Sequence, residues 1–212
     1  MRTNELIAAL AADCPPSRTS PDRSIAIALA IGSLAAALAF VIFLGPRPDF
    51  AAALATWRFD VKFVVTGILA SAAIWSLFRL SRPVVAPSSV AKSLLLAPLV
   101  LLSCVAVELV EFPSQQWSAR LIGQNSLVCL TVVPLLALAP LASLLLALRT
   151  GAPASPTSTG AIAGLAAGAI AAFLYAALCT NDSPLFVTTW YTIAILAVAF
   201  FGALVGRRML RW

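Results

Sequence analysis

The chain has 212 residues, of which 61% are hydrophobic and only 10% are charged, and its mean hydropathy is +1.00. A typical soluble domain carries about 25% charged residues, so this composition excludes a water-soluble fold and predicts an all-α membrane protein. Histidine is absent, which excludes Ser-His and Cys-His catalysis and histidine-ligated metals. No C-x-x-C, H-E-x-x-H, G-x-S-x-G or Walker pattern occurs either. We therefore predict that the protein is not an enzyme.

The chain begins with a short segment, residues 1–24, that precedes the first apolar run. Thr3 can cap a helix that Pro15-Pro16 ends, and Leu6, Ile7 and Leu10 then share one side of it. A helix this short is marginal alone in water, so a groove on a partner protein would stabilise it. The alternative is a segment that fluctuates or lies on the lipid surface.

Six apolar runs follow, each about as long as a membrane-spanning helix. They cover residues 25–44, 61–80, 94–110, 123–148, 161–179 and 186–206. The pattern predicts a six-helix transmembrane bundle over residues 25–206, followed by a C-terminal tail at 207–212. The loop after the first run has room for a short surface helix from Phe50 to Trp57.

The basic residues indicate the orientation of this bundle. Ten of the 14 lysines and arginines fall on the side of the two termini and four on the other side, Arg47, Arg58, Lys62 and Arg120. This bias predicts both termini in the cytoplasm, with the chain in the inner membrane. Because the net charge of +6 comes from residues at the ends of apolar runs, it predicts contact with anionic lipid and no direct binding of nucleic acid.

Two patterns within the predicted spans concern helix packing and transport. Gly160, Gly164 and Gly168 recur every fourth residue and predict close packing inside the bundle, with homodimerisation as the alternative. The oligomeric state is left open. Glu108 and Glu111 share one helical face near a predicted helix end. Carboxylates there suit either a hydrated rim, which the neighbouring Pro113 favours, or a cation path.

Two cysteines are placed where chemistry from the outside could act on them. Cys129 lies about two turns into the fourth predicted span, and Cys179 is the last residue of the fifth. If those helices are neighbours, the two thiols could form a disulfide, or bind a soft metal ion with Asp182 as a third ligand. They could equally be two unrelated apolar cysteines. We predict no resident cofactor, and transient binding of a soft metal stays open.

Several stretches of the chain together resemble a known family. They are RTNELIAAL, RPDFAAALAT, VELVEFP, WSARLIG, CLTVVPLLALAPLASLLLALRTGAP, AGLAAG and CTNDSPLFVTTWY. They are similar to the NrsF-like family of bacterial membrane anti-sigma factors, which partner extracytoplasmic-function sigma factors. The resemblance covers essentially the whole chain.

The resemblance implies a six-helix protein that holds its sigma factor at the membrane until a stress signal arrives. It also implies that the segment from Thr3 to Asp13 binds the sigma factor. Cys129 and Cys179 match the family's cysteine pair, which implies sensing of metal or oxidative stress at the outer face. Two other classes remain as alternatives: a small transporter or channel using Glu108 or Glu111, and a structural subunit of a larger membrane complex.

Overall fold

The computed structural model describes residues 20–80, 92–151 and 155–210, together with Thr3 and Glu5. All regular structure in these residues is helical. The helices are α1 (Pro21–Phe43), α2 (Phe50–Ala53), α3 (Trp57–Leu80), α4 (Leu96–Glu111), α5 (Trp117–Ile122), α6 (Ser126–Leu148), α7 (Pro156–Ala176) and α8 (Pro184–Met209). A 3₁₀ turn at Ser114–Gln116 precedes α5, and a π-helical turn at Val187–Tyr191 lies within α8.

The prediction of six membrane-spanning helices is confirmed. Six helices of the described chain are long and apolar enough to cross a bilayer, and their ends lie within about five residues of the predicted runs. Helix α3 begins at Trp57, four residues before the predicted run. Its first two turns carry Arg58, Asp60 and Lys62, which interrupt the apolar run, yet they are helical and Lys62 is fully buried.

Local sequence explains the start of α1. Ser20 has extended backbone geometry, and its hydroxyl accepts a hydrogen bond from the backbone N–H of Arg23. Pro21 follows at the first helical position, where its missing N–H would be unpaired in any case, and Asp22 complements the helix dipole. The helix therefore begins at Pro21, four residues before the start predicted from the apolar run.

Helix α7 lies at the centre of the bundle and packs against α8, α3 and α6. Its apolar segment is 67% buried, more than that of any other membrane-spanning helix in the described residues. A Cβ at Gly164 would lie 2.5 Å from the carbonyl oxygen of Val198 and 2.7 Å from Cα of Ala199, both on α8. The predicted intramolecular use of Gly160, Gly164 and Gly168 is thus confirmed, because small residues let the two backbones touch.

A second close contact joins α1 to α6. A Cβ at Gly32 would lie 2.6 Å from Cα of Pro140, so the two helices cross with no room for a methyl group. The α1–α6 pair is among the most extensively packed of the bundle, whereas α4 is largely lipid-facing. Helix α1 is thereby attached to the bundle chiefly through α6.

Three loops meet at one end of the bundle: residues 44–56, 112–125 and 177–183. The backbone N–H of Arg47 donates to the carbonyl of Ala177 at 3.0 Å, and the Asn125 amide donates to the Thr180 hydroxyl at 2.8 Å. We call this end the polar face, and the other end, where α1 begins and α8 ends, the opposite face.

Candidate functional site

The polar face contains a cluster of charged side chains centred on Asp182. Lys62 Nζ donates to Asp182 Oδ1 at 2.6 Å, and Arg47 Nη1 donates to Asp182 Oδ2 at 2.9 Å. The Lys62 side chain is 0% exposed and that of Arg47 is 8% exposed. Buried cations are tolerated only when they are paired and hydrogen-bonded, so Asp182 is a structural requirement for both.

The same two cations also hold the end of α7. Lys62 Nζ donates to the carbonyl of Cys179 at 2.8 Å, and Arg47 Nη1 donates to it at 3.4 Å. This carbonyl lies just beyond the C-terminus of α7, where the helix dipole is negative and a cation is stabilising. Residues 179 and 182 are therefore fixed by one pair of side chains.

Arg47 has a second carboxylate partner, Asp49, which its guanidinium contacts through two hydrogen bonds of 2.6 Å. The hydrogen bond from Arg47 holds the pKa of the Asp49 carboxyl below its usual range. The pKa of Arg47 is raised, first by the hydrogen bond to Asp49 and then by Asp182, against the opposing effect of burial. Arg47 thus remains a cation throughout the physiological range.

Cys129 and Cys179 lie at the polar face, as the sequence predicted, but neither thiol reaches solvent. Cys129 is 0% exposed and Cys179 is 1% exposed, and both belong to the apolar core. Both are free thiols. Because α6 begins only at Ser126, Cys129 lies in its first turn, not two turns in as predicted. The expectation of ready access from outside is therefore wrong for the described conformation.

Two buried tyrosines line the cysteine pair. The Tyr175 hydroxyl donates to the carbonyl of Asn125 at 3.4 Å, and that carbonyl also accepts from the N–H of Cys129. The Tyr191 ring lies 5.6 Å from the Tyr175 ring, and its buried hydroxyl has no hydrogen-bond partner within the described residues. An unpaired hydroxyl of this kind is costly in an apolar interior.

Glu108 does not belong to a hydrated rim. It is 0% exposed and accepts hydrogen bonds from Arg120 Nη1, the Ser183 hydroxyl and the backbone N–H of Leu185, each at 2.9 Å. The last bond places a carboxylate at the start of α8, where the helix dipole favours it. The predicted rim position is wrong for Glu108, because the 180–185 loop folds over it. All its described contacts are those of a structural anchor, which speaks against the cation path.

Glu111 fits the hydrated-rim interpretation better. It is partly exposed and pairs with Arg58, whose guanidinium also stacks on the rings of Trp57 and Phe112. Each of the four basic residues predicted for this face is therefore paired with a carboxylate: Arg47, Arg58, Lys62 and Arg120.

The described residues do not assemble the three-ligand metal site considered from the sequence. No group of three or more histidine, cysteine, aspartate or glutamate side chains in residues 20–80, 92–151 and 155–210 is arranged to hold a metal ion. Asp182 is not available as a third ligand beside Cys129 and Cys179, because Lys62 and Arg47 occupy its carboxylate. Binding of a soft metal by the two thiols alone stays a prediction.

The predicted partner-binding residues fall mostly outside the described part of the chain. Thr3 is helical and exposed, as is Glu5. Leu6, Ile7 and Leu10 lie outside the described residues.

Sequence reasoning counted Arg47 and Lys62 only as topology signals and missed their role. A usable signal was present for Lys62. It lies one and a half turns inside a membrane-spanning helix, where an ionisable side chain is expensive and normally has a specific partner. For Arg47 no such signal exists, since it lies in a loop and its partner Asp182 is 135 residues away.

The fold and the site define the class of the chain: a polytopic α-helical membrane protein whose buried polar groups fix loops and helix ends. The family described as "Negative regulator of sigma F" matches residues 10–212. The chain belongs to this family, which confirms the resemblance.

Two relatives are similar to it over their whole length. One is the "Anti-sigma-F factor NrsF" of Caulobacter vibrioides, 33% identical over 217 residues, with 100% of both chains covered. The other is the "Probable anti-sigma-F factor NrsF" of Azospira oryzae, 32% identical over 213 residues, again with 100% of both chains covered. No solved structure matches the chain.

Proposed function

We propose that this protein is a membrane anti-sigma factor that sequesters an extracytoplasmic-function sigma factor and releases it on a periplasmic signal. The observation that carries the proposal is the full-length similarity to two anti-sigma-F factors. A regulatory role rather than an enzymatic one follows from the family. The six spans make the bundle the physical connection between the two sides of a membrane.

The proposal places the polar face in the periplasm and both termini in the cytoplasm. The polar face carries four basic and five acidic residues, a net charge of −1, whereas the remaining ten basic and three acidic residues give the opposite side +7. Positive charge is retained on the cytoplasmic side, which supports this orientation. A green fluorescent protein fused after residue 212 should fluoresce, and alkaline phosphatase fused within residues 112–125 should be active. The reverse pattern would overturn the orientation.

The N-terminal segment is the proposed sigma-binding element, with Leu6, Ile7 and Leu10 as its apolar face and Thr3 at its start. The decisive experiment is co-purification of the sigma factor with the membrane protein, with and without residues 1–13. Deletion, or aspartate at both Leu6 and Leu10, should release the sigma factor and leave membrane insertion unchanged, because a charged side chain cannot enter an apolar groove.

The control is Ala8→Asp, which places a negative charge on the opposite side of the predicted helix and should leave co-purification intact. Unchanged co-purification of the deletion variant would contradict the proposal and move the binding site to the segment from Arg79 to Lys92.

Cys129 and Cys179 are the proposed sensing residues. In the redox form of the proposal, a peroxide takes two electrons and two protons from the thiols, a disulfide forms, and the peroxide is reduced to water. Binding of a soft metal by the two thiolates would act in the same place. Either change must favour one of two helix arrangements, and a coupling of about 1–3 kcal/mol changes sigma-factor affinity about 5- to 150-fold.

The test replaces both cysteines by serine. Cys129→Ser with Cys179→Ser should keep the sigma factor bound and abolish the transcriptional response to peroxide and to soft metals. Cys104→Ser is the matched control, since Cys104 lies in α4, away from the polar face, and should respond normally. A normal response in the double variant would disprove the sensing role.

A further inference from the structure

The loop that follows Cys179 is held at both of its ends by buried charges. Lys62 and Arg47 bind Asp182 from one side of the bundle. From the other side, Glu108 accepts hydrogen bonds from Ser183 and from the backbone N–H of Leu185. The loop of residues 180–183 is thus held by two fully buried ionic side chains, Lys62 and Glu108.

This loop covers the Cys179 thiol. The sulfur is within 3.7 Å of the carbonyl oxygen of Asn181, two residues further along the loop. Outside the loop lies an open polar cleft of about 710 Å³, whose lining includes Gly123, Gln124, Thr180 and Asn181. A water-soluble reagent can enter the cleft, yet Cys179 itself is only 1% exposed. The reagent therefore meets the sulfur only when the loop lifts.

We infer that Lys62 and Asp182 form a latch that sets how often the Cys179 thiol becomes accessible. Lifting the loop removes Asp182 from Lys62, whose side chain is 0% exposed and has no route to water in place. It also withdraws the Cys179 carbonyl that Lys62 holds at 2.8 Å. An unpaired buried ammonium is strongly unfavourable, so the closed loop is the stable state.

The latch would limit how readily the proposed sensor responds to a signal. This biological role of the latch rests on the proposed function. Local opening is a minor state, and the rate of thiol chemistry is scaled by its population. A signal that weakens the Lys62–Asp182 pair would raise the population of the open state without reacting with the Cys179 thiol. The latch itself is measurable whether or not the protein binds a sigma factor.

The experiment follows alkylation of Cys179 by a hydrophilic maleimide. The full chain carries Cys14→Ser, Cys104→Ser and Cys129→Ser and is purified in detergent micelles, so that both faces are reachable. Lys62→Met and Asp182→Asn are each compared with this background, in which the latch is intact, and Glu111→Gln is the matched control. Glu111 forms an ion pair on the same face, with Arg58, and the pair does not bind the 179–185 loop.

Lys62→Met and Asp182→Asn should each speed alkylation by about tenfold or more, because each variant loses the buried ion pair. In Lys62→Met, Arg47 still binds Asp182 and so still holds part of the loop. Glu111→Gln should react at the background rate. Equal rates in all variants would overturn the latch, and so would an equal acceleration by Glu111→Gln, which would show general loosening.

Size-exclusion chromatography and tryptophan fluorescence verify the fold. If Lys62→Met does not fold, Asp182→Asn decides the outcome, since asparagine keeps the shape of the loop and removes only the charge. Failure of the latch and failure of the proposed function are separate results, because sigma-factor co-purification reports only the second.

Discussion

The close packing of α7 on α8 makes a quantitative prediction through Gly164. An alanine there places a Cβ 2.5 Å from a carbonyl oxygen and 2.7 Å from a Cα, both backbone atoms of α8 that no rotamer change can move. Ordinary contact begins near 3.4 Å, so the two helices must separate by almost 1 Å. Overpacking of this kind costs about 1–3 kcal/mol.

Gly67 in α3 is the matched control. A Cβ at this position meets only the Phe173 ring, at 3.7 Å and 3.8 Å, which is ordinary van der Waals contact. Both substitutions replace glycine by alanine inside a membrane-spanning helix, so the gain in helix propensity of about 1 kcal/mol applies to each and cancels in the comparison. The difference between the two variants then measures the packing alone.

The assay is unfolding of the purified protein by sodium dodecyl sulfate in mixed micelles, followed by far-UV circular dichroism. Gly164→Ala should unfold with a free energy about 1–3 kcal/mol lower than that of Gly67→Ala. Gly67→Ala should match or slightly exceed the unsubstituted protein. Identical transitions for the two variants would refute the close approach of α7 and α8.

Two further predictions concern charges of the polar face. Glu108→Ala should lower the free energy of unfolding by about 2–4 kcal/mol in the same assay, because it leaves buried donors unpaired, whereas Glu111→Gln should lower it by less than about 1 kcal/mol. Equal effects would contradict the burial of Glu108. The Asp49 carboxyl has a folded-state pKa below its ordinary value of 3.8, so its contribution is complete above that pH and is lost as the pH falls through the folded-state pKa. The difference in thermal stability between the unsubstituted protein and Asp49→Asn should therefore be the same at pH 7 and pH 5 and shrink only below 3.8; a difference that vanishes by pH 5 would contradict the Arg47–Asp49 pairing.

The membrane-spanning helices were predictable because lipid leaves the backbone no alternative. Every N–H and C=O in the bilayer must bond internally, so a long apolar run has to be a helix, and hydropathy places its ends within a turn or so. The glycine repeat in α7 was predictable for a related reason, since small residues at this spacing form a smooth helix face. The partners of that face, Gly202 and Gly206 on α8, depend on which helices are neighbours.

The charged cluster was less accessible to sequence reasoning because its members are far apart in the chain. Lys62 and Asp182 are 120 residues apart, and nothing local to either indicates the other. Cys179 is buried in a core to which several helices contribute, and the sequence does not show which helices are neighbours, so its exposure was predicted wrongly. By contrast, the placement of both cysteines at one end of the bundle followed directly from the alternation of spans.

The tight crossing of α1 over α6 gives the bundle a lever. Cys129 is at one end of α6, Pro140 is 11 residues along it, and Leu148 is 19 residues along it, or about 16 Å and 28 Å away. A tilt of α6 by about 5° around Cys129 would therefore shift Pro140 by about 1.4 Å and the far end by about 2.5 Å. With no room for even a methyl group between Gly32 and Pro140, a tilt of α6 would press directly on the backbone of α1. If sensing at Cys129 tilts α6 in this way, as the proposed function requires, the end of α1 that carries the preceding polypeptide would be displaced by ångströms.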